Sequence, residues 1–308
     1  MPATLLRNLA ADLRPIRRPA RVLYAGAAAW LVSGLVHLVV LAANGWAWSG
    51  AVSFRKPLTF SVSIALLLAT IGWVLDRLPD RPRLAGTIAW TLLVSSTIEV
   101  GLITMQAWRG RASHFNTLAA GDAAVFVAMA VMVAVMSLCL VAVLVWSLVR
   151  PPRDRLVRLA VLGGLVLIVA GLGLGQWIIE LGNDFVETHR AVPGTVMYGE
   201  RGVAKFPHAV ALHGIQLFIL AAVLARRSRL TEAARRRAVR LVVWSYAAVL
   251  VFASAQTITG NGPLDPTIWG AGLAVSVAGI VAGFLRVGRG LGASCAATEE
   301  QSRSMTAA

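Results

Sequence analysis

The sequence predicts an all-α membrane protein with eight transmembrane helices in two parallel four-helix halves and both termini on one side. Three observations predict it. Of 308 residues, 57% are hydrophobic and 14% charged, against about 25% charged in a soluble domain, and the mean hydropathy is +0.73. Eight apolar runs reach the roughly 20 residues that cross a bilayer as a helix. The basic residues, which set the net charge of +15, stand in clusters between those runs.

Residues 1–21 form a basic N-terminal segment carrying Arg7, Arg14, Arg17, Arg18 and Arg21. The first run, 22–44, is over twenty residues long and lacks a small-x-small cleavage site, so it reads as a span rather than a signal peptide. Pro57 opens the second run, 57–76, and Leu78-Pro79-Asp80 turns the chain into the third, 84–108. The fourth, 122–149, completes a first half, 22–149. Pro151-Pro152 break the chain within a linker, 150–156. A second half, 157–286, holds runs at 157–180, 206–225, 239–259 and 266–286. Gly260-Asn261-Gly262-Pro263 ends the seventh run and Pro266 opens the eighth. Residues 287–308 read as a tail without fixed structure, and residues 181–205 as a long outer loop of a length often tied to function.

Charge sets the expected orientation. Loops on the side of the termini hold 22 of the 29 basic residues and the opposite side seven, namely Arg55, Lys56, Arg109, Arg111, Arg190, Arg201 and Lys205. By the positive-inside rule both termini are cytoplasmic, in a bacterial inner membrane. The outer seven are nearly balanced by Asp122, Glu180, Asp184, Glu187, Glu200 and Asp265. Membrane lipid is the expected neighbour of the Arg-rich stretch 226–240, and nucleic acid is excluded as a partner. Of the 29 basic residues, 27 are Arg and only Lys56 and Lys205 are Lys. Cys139, in an apolar run, and Cys295, in the tail, supply neither a disulfide framework nor a zinc spacing.

Two short matches suggest duplication. Lys56-Pro57 opens the second span and Lys205-Phe206-Pro207 the sixth; Gln106-Ala107-Trp108-Arg109-Gly110 ends the third and Gln256-Thr257-Ile258-Thr259-Gly260 the seventh. Such repeats are common in membrane folds.

Polar groups inside spans are costly and are read first as functional. All five histidines, His37, His114, His189, His208 and His213, fall in or on the outer half. At about 1.5 Å per residue, His37 and His213 each lie roughly 10 Å below the outer ends of their spans, Glu99 roughly 13 Å and Gln216 roughly 15 Å. Gln106, Gln176, Glu180 and Gln256 sit nearer the rim. Depth makes His37 and His213 candidates to face one another as haem or metal ligands, as a proton relay, or as structural hydrogen-bonding groups. His208 stands about 140° around the helix from His213, so the two cannot hold one ion together. Glu99 is the candidate for proton transfer or catalysis, or a partner to a histidine. Arg55, Lys56, Arg109 and His114 form a rim able to hold an anion such as a haem propionate, a lipid headgroup or a phosphate. Trp46, Trp48, Trp108 and Trp177 read as an aromatic belt. Gly171, Gly173, Gly175, Gly279 and Gly283 read as sites of close helix approach.

Arg55-Lys56-Pro57, the Gln106–Gly110 segment with Ser113-His114-Phe115-Asn116, and His208 through His213-Gly214-Ile215-Gln216 resemble the motifs of an uncharacterised family of bacterial multi-pass membrane proteins. That resemblance covers the second to sixth spans and implies no activity. A looser architectural similarity is to haem A synthase, with eight spans in two parallel four-helix halves and haem-ligating histidine pairs. Here the eighth span has no histidine and no Glu-x-x-His-Arg segment occurs. Three functions follow as expectations. One is a haem- or metal-binding redox protein with His37 and His213 as ligands, facing a substrate or redox partner on the outer side. The second is a proton-linked transporter using Glu99 and the outer histidines. The third is a structural or assembly subunit.

Overall fold

A computed structural model describes the backbone of residues 3–306 and the side chains of residues 7–291, so the side chains of Cys295 and Arg303 lie outside it. The helices are α1 (Ala3–Leu13), α2 (Arg18–Ala43), α3 (Arg55–Leu75), α4 (Pro82–Trp108), α5 (Ala120–Val149), α6 (Arg155–His189), α7 (Lys205–Arg227), α8 (Glu232–Ile258) and α9 (Ile268–Thr306). A two-stranded hairpin, β1 (Met197–Tyr198) and β2 (Gly202–Val203), precedes α7. Eight helices, α2 to α8 and α9 as far as Leu291, are long and apolar enough to cross a membrane. Large apolar side chains such as Val39, Leu138, Val251 and Val275 face outward, an arrangement that water would penalise and hydrocarbon does not.

Local chemistry sets the ends. Asp154 caps α6, its carboxylate accepting from the backbone N–H of Leu156 (2.8 Å) and Val157 (3.1 Å). Thr231 caps α8 through Ala234 N–H. Prolines stand in the first turns of α2 and α4, where a missing N–H costs nothing.

The same helix pairs dominate both halves: α2 with α3 and α6 with α7, then α4 with α5 and α8 with α9. The halves meet where α5 runs into α6 and where α3 touches α7. One core cluster spans that junction, with Leu68 and Ile71 of α3, Leu92 of α4, Val143 of α5, Val161 and Leu165 of α6 and Ile215 of α7 wholly buried. A second surrounds Phe218 and Tyr246 between α7 and α8.

Four segments differ from the sequence expectation, the first being α8, which begins at Glu232, capped by Thr231, rather than near 239. α6 continues through Leu181 to His189, because no proline interrupts it and Gly182 and Val186 keep an inward face to bury; the outer connection therefore shrinks to residues 190–204. Part of 1–21 is helical, as α1. α9 passes beyond residue 286, where Val287 is buried and Gly290 O accepts from Arg229 N–H (3.1 Å).

The last turn of α1 and the segment after it tie the two halves at the end of the bundle that carries the termini, here the terminal end. The Asp12 carboxylate accepts from Arg227 Nε (2.8 Å) and Nη2 (2.9 Å) at the end of α7. Its backbone carbonyl accepts from Trp73 Nε1 (3.1 Å) and from Arg77 at the end of α3. Asp76 in turn accepts from the N–H groups of Ile16 (2.7 Å) and Arg17 (3.0 Å). The hydrogen-bonded Arg227 guanidinium holds the Asp12 carboxyl below its usual range.

Glycines permit the closest approaches. A methyl group on Gly171 would meet Leu212 and Ala211 at 2.9 and 3.1 Å, whereas one on Gly173 would meet nothing within 4 Å; Gly173 is thus no contact site. Gly164 is the tightest junction of α6 on α7: an added Cβ would stand 2.5 Å from Ile215 Cβ and 2.8 Å from its Cα. Gly164→Ala should destabilise the protein by about 1–3 kcal/mol through overpacking. Gly173→Ala should be neutral or stabilising by up to about 1 kcal/mol. Thermal unfolding in detergent separates the two; equal effects would remove the packing account.

Candidate functional site

At the opposite, distal end, the two Gln-x-x-x-Gly segments fold alike. Gly110 (φ 66°) and Gly260 (φ 75°) adopt the left-handed conformation that ends a helix. Gly110 N–H donates to Ala107 O and Arg111 N–H to Gln106 O; Gly260 N–H donates to Thr257 O and Asn261 N–H to Gln256 O. These are paired Schellman closures. In each, the glutamine amide folds back over the turn: Gln106 Nε2 donates to Asp122 Oδ1 (2.9 Å), and Gln256 Nε2 donates to the carbonyls of Gly262 (2.8 Å) and Asp265 (2.9 Å). Both glutamines are fully buried. The hairpin seals the second turn, Arg201 N–H donating to Gly260 O and its guanidinium pairing with Asp265 (2.7 Å).

Asp122 changes the expected rim. It is 5% exposed and faces Arg109 (3.7 Å) and Arg111 (4.0 Å), and Arg109 Nη1 also donates to Gln106 Oε1 (2.8 Å). These arginines are engaged in holding the turn. Residues 113–116 pack into the bundle. Phe115 takes φ 60°, unusual for an aromatic residue, and its ring lies against Gly182 of α6 and Phe126 of α5. Burial of that ring offsets the strained backbone.

The same turn sets His114 among Phe60, Phe115 and Phe126, with Nδ1 hydrogen-bonded to Ser113 Oγ (2.9 Å). Burial pushes its imidazole down to about 3, and the nearby ammonium groups of Lys56 and Lys205 push the same way. Lys56 stands in the first turn of α3 and Lys205 in that of α7, the two helices that touch across the halves. The two lysines thus open helices that touch, with Arg55 next to Lys56 in the chain. All three cations are half-buried. Arg55 Nε donates to Trp48 O (2.7 Å) and its guanidinium covers the Trp48 ring. Among the described residues no acidic side chain forms an ion pair with Arg55, Lys56 or Lys205.

The remaining candidates lie apart. His37 stands on α2, where Nδ1–H donates to Ser33 O (2.8 Å) and Nε2 accepts from Trp108 Nε1 (3.2 Å). Trp108 is therefore a hydrogen-bond donor as well as part of the aromatic belt. His213 stands on α7, which packs on α6, α8 and α9, while α2 packs on α3 and α4. α7 also touches α3, and α2 and α7 are not themselves among the principal packing pairs. His208 donates from Nδ1 to Gly171 O (2.8 Å) and rests on Gly175. Gln216 Nε2 donates to Thr70 Oγ1 (3.2 Å), bridging α7 to α3. Glu99, 2% exposed, leaves Oε2 without a hydrogen-bond partner, as Gln216 leaves Oε1 and Thr104 its hydroxyl. No group of three or more His, Cys, Asp or Glu converges among the described residues. As the ring stands, His37 has no free nitrogen for a haem iron, since Nδ1 and Nε2 are both engaged in hydrogen bonds.

Lys205 was not among the expected site residues. Its signal was present, since the chain's only two lysines open corresponding helices of the two halves. Asp122 carried no signal of its own, because its role depends on Gln106 and two arginines brought to it by the turn.

Fold and site together define an eight-span all-α membrane protein with an unneutralised cationic cluster at its distal end. No family model, curated protein or solved structure matches the chain.

His114 makes a sign-definite prediction. The folded protein keeps it neutral to about pH 3, while the unfolded chain protonates it near 6.5. Below that value the unfolded state binds the extra proton, so stability should fall as pH drops from about 6.5 towards 3. His114→Phe should flatten that part of a melting-temperature profile; an unchanged slope would place the acid sensitivity elsewhere.

Proposed function

We propose that the protein is a proton-linked transporter that receives a small anion at its outer face, in the cytoplasmic membrane of a bacterium with both termini in the cytoplasm. The orientation rests on the 22-to-7 division of basic residues. The observation that carries the substrate class is the Lys56–Lys205 pair. Two half-buried ammonium groups opening adjacent helices, with Arg55 next to Lys56 and no ion-pairing acid among the described residues, are better accommodated once an anion neutralises them. Lysine suits the task, being a compact point charge that need not match one planar geometry. His114, kept neutral, adds no charge but can hydrogen-bond.

Glu99 and Gln216 support the transport half of this reading. Each keeps a buried oxygen without a partner in the bundle interior, below the cationic cluster by the helix rise. A carboxyl buried without a cation is accommodated as the neutral acid, which makes Glu99 the group able to carry a proton. The Asp12 strap, closing α3 and α7 at their terminal ends, matches a state open to the outside and shut to the cytoplasm.

The melting temperature of the purified protein, titrated with phosphate, sulfate, acetate and succinate against chloride at equal ionic strength, tests the site. At least one anion should stabilise saturably, by about 2.7 kcal/mol at a hundredfold excess over Kd. Lys56→Gln and Lys205→Gln should each weaken the response at least tenfold while raising the anion-free melting temperature. No discrimination from chloride, or binding indifferent to both lysines, overturns the reading. For the anion so found, Glu99→Gln should abolish accumulation driven by an imposed pH gradient in proteoliposomes; undiminished accumulation would remove Glu99 as proton carrier.

A further inference from the structure

A cavity of about 600 Å³ opens at the terminal end between α6 and α8, far from the distal cluster and independent of the transport reading. It exists because α6 packs chiefly on α7 and α8 on α9, leaving α6 and α8 in lighter contact. Its mouth carries Arg155 and Arg158 from α6 and Arg236, Arg237 and Arg240 from α8. Its floor is apolar, formed by Leu159, Leu162 and Gly163, and is closed by Val243 and Phe218, which an added Cβ on Gly163 would meet at 3.3 and 3.6 Å.

The charge balance selects the occupant. Among the described residues only Glu232 answers these arginines, at 3.9 Å from Arg155 and 3.6 Å from Arg236, and it is itself largely exposed. Five cations against one carboxylate leave four positive charges, more than one phosphodiester neutralises. Arg158, Arg237 and Arg240 form no ion pair within the described residues. The cavity adjoins α6, whose outward face is apolar, as Val166 shows, so a ligand with a phosphate head and a hydrocarbon body would satisfy both parts at once. Basic pockets between spanning helices recognise such headgroups, and guanidinium groups bind phosphate oxygens in pairs.

We infer that this cavity is a binding site for an anionic phospholipid, with preference for a headgroup bearing two phosphates. The arginines grip the phosphates and the acyl chains run along the lipid-facing groove between α6 and α8. Bound there, the lipid joins two helices that the protein itself joins weakly.

Delipidated protein titrated in mixed micelles with diphosphatidylglycerol, phosphatidylglycerol or phosphatidylcholine tests this by melting temperature, with native mass spectrometry counting bound lipid. Diphosphatidylglycerol should stabilise saturably with about one molecule retained, phosphatidylglycerol more weakly and phosphatidylcholine not at all. The double variant Arg158→Gln/Arg240→Gln should weaken the effect at least tenfold. Arg83→Gln, an exposed arginine at the same end on α4, should leave it unchanged. Melting temperatures without lipid establish that the variants fold. Equal stabilisation by phosphatidylcholine, an equal loss in Arg83→Gln, or retained affinity in the double variant overturns the site. If inorganic phosphate at matched ionic strength reproduces the full effect, the ligand is a soluble phosphate and the lipid assignment fails.

Discussion

Gln106 and Gln256 each turn a buried amide over the end of a spanning helix, and the distal face is assembled around these two side chains. The last carbonyls of a helix have no partner within it, and near hydrocarbon no water is at hand to take them. The Schellman closures at Gly110 and Gly260 answer part of that need, and the glutamine amides answer the loops that follow. Once Gln106 is fixed, Asp122 is fixed, and Arg109 and Arg111 gather on it. Ser113 to Asn116 then run into the bundle, setting Phe115 on Gly182 and His114 behind it.

This construction sorts the distal charges into two kinds. Arg109, Arg111 and Arg201 are structural, the first two facing Asp122 in the first turn of α5 and the third paired with Asp265 just before α9. Lys56 and Lys205 are left over, with Arg55 beside them. Half-burying these cations is a cost that packing does not require, since a neutral residue could open either helix. A cost borne at corresponding places in two halves is more readily understood as preparation for an anion than as an accident of folding. The terminal end is built in the opposite sense, with Asp12 and Asp76 drawing the ends of α3 and α7 together through paired hydrogen bonds. The same two helices are thus tied together at one end and opened by lysines without an ion-pairing acid, among the described residues, at the other. That asymmetry supports the proposal of a transporter.

Much of this was legible from residue order. A run of apolar residues names a span without reference to any other part of the chain, because backbone satisfaction in hydrocarbon is a local matter. Five of the eight runs therefore appear within about four residues of their expected limits, and the other three are longer at one end. The matched Gln-x-x-x-Gly segments were legible for the same reason, since a helix end closes through hydrogen bonds within six residues. The limits failed where a contact distant in sequence extends a helix, as Phe115 does by packing on Gly182 in the prolonged end of α6.

Residue order by itself determined the fold class, the number of spans, the segregation of charge and the depth of every polar group. Only the tertiary structure decided which of those groups meet. Depth along a helix follows from counting, but its azimuth and neighbours follow from packing, and two residues at one level can lie on opposite sides of a bundle. That is why His37 accepts a hydrogen bond from Trp108, and why Lys205, one of seven outer cations when counted, opens a helix that touches the one opened by Lys56 once α3 and α7 are packed.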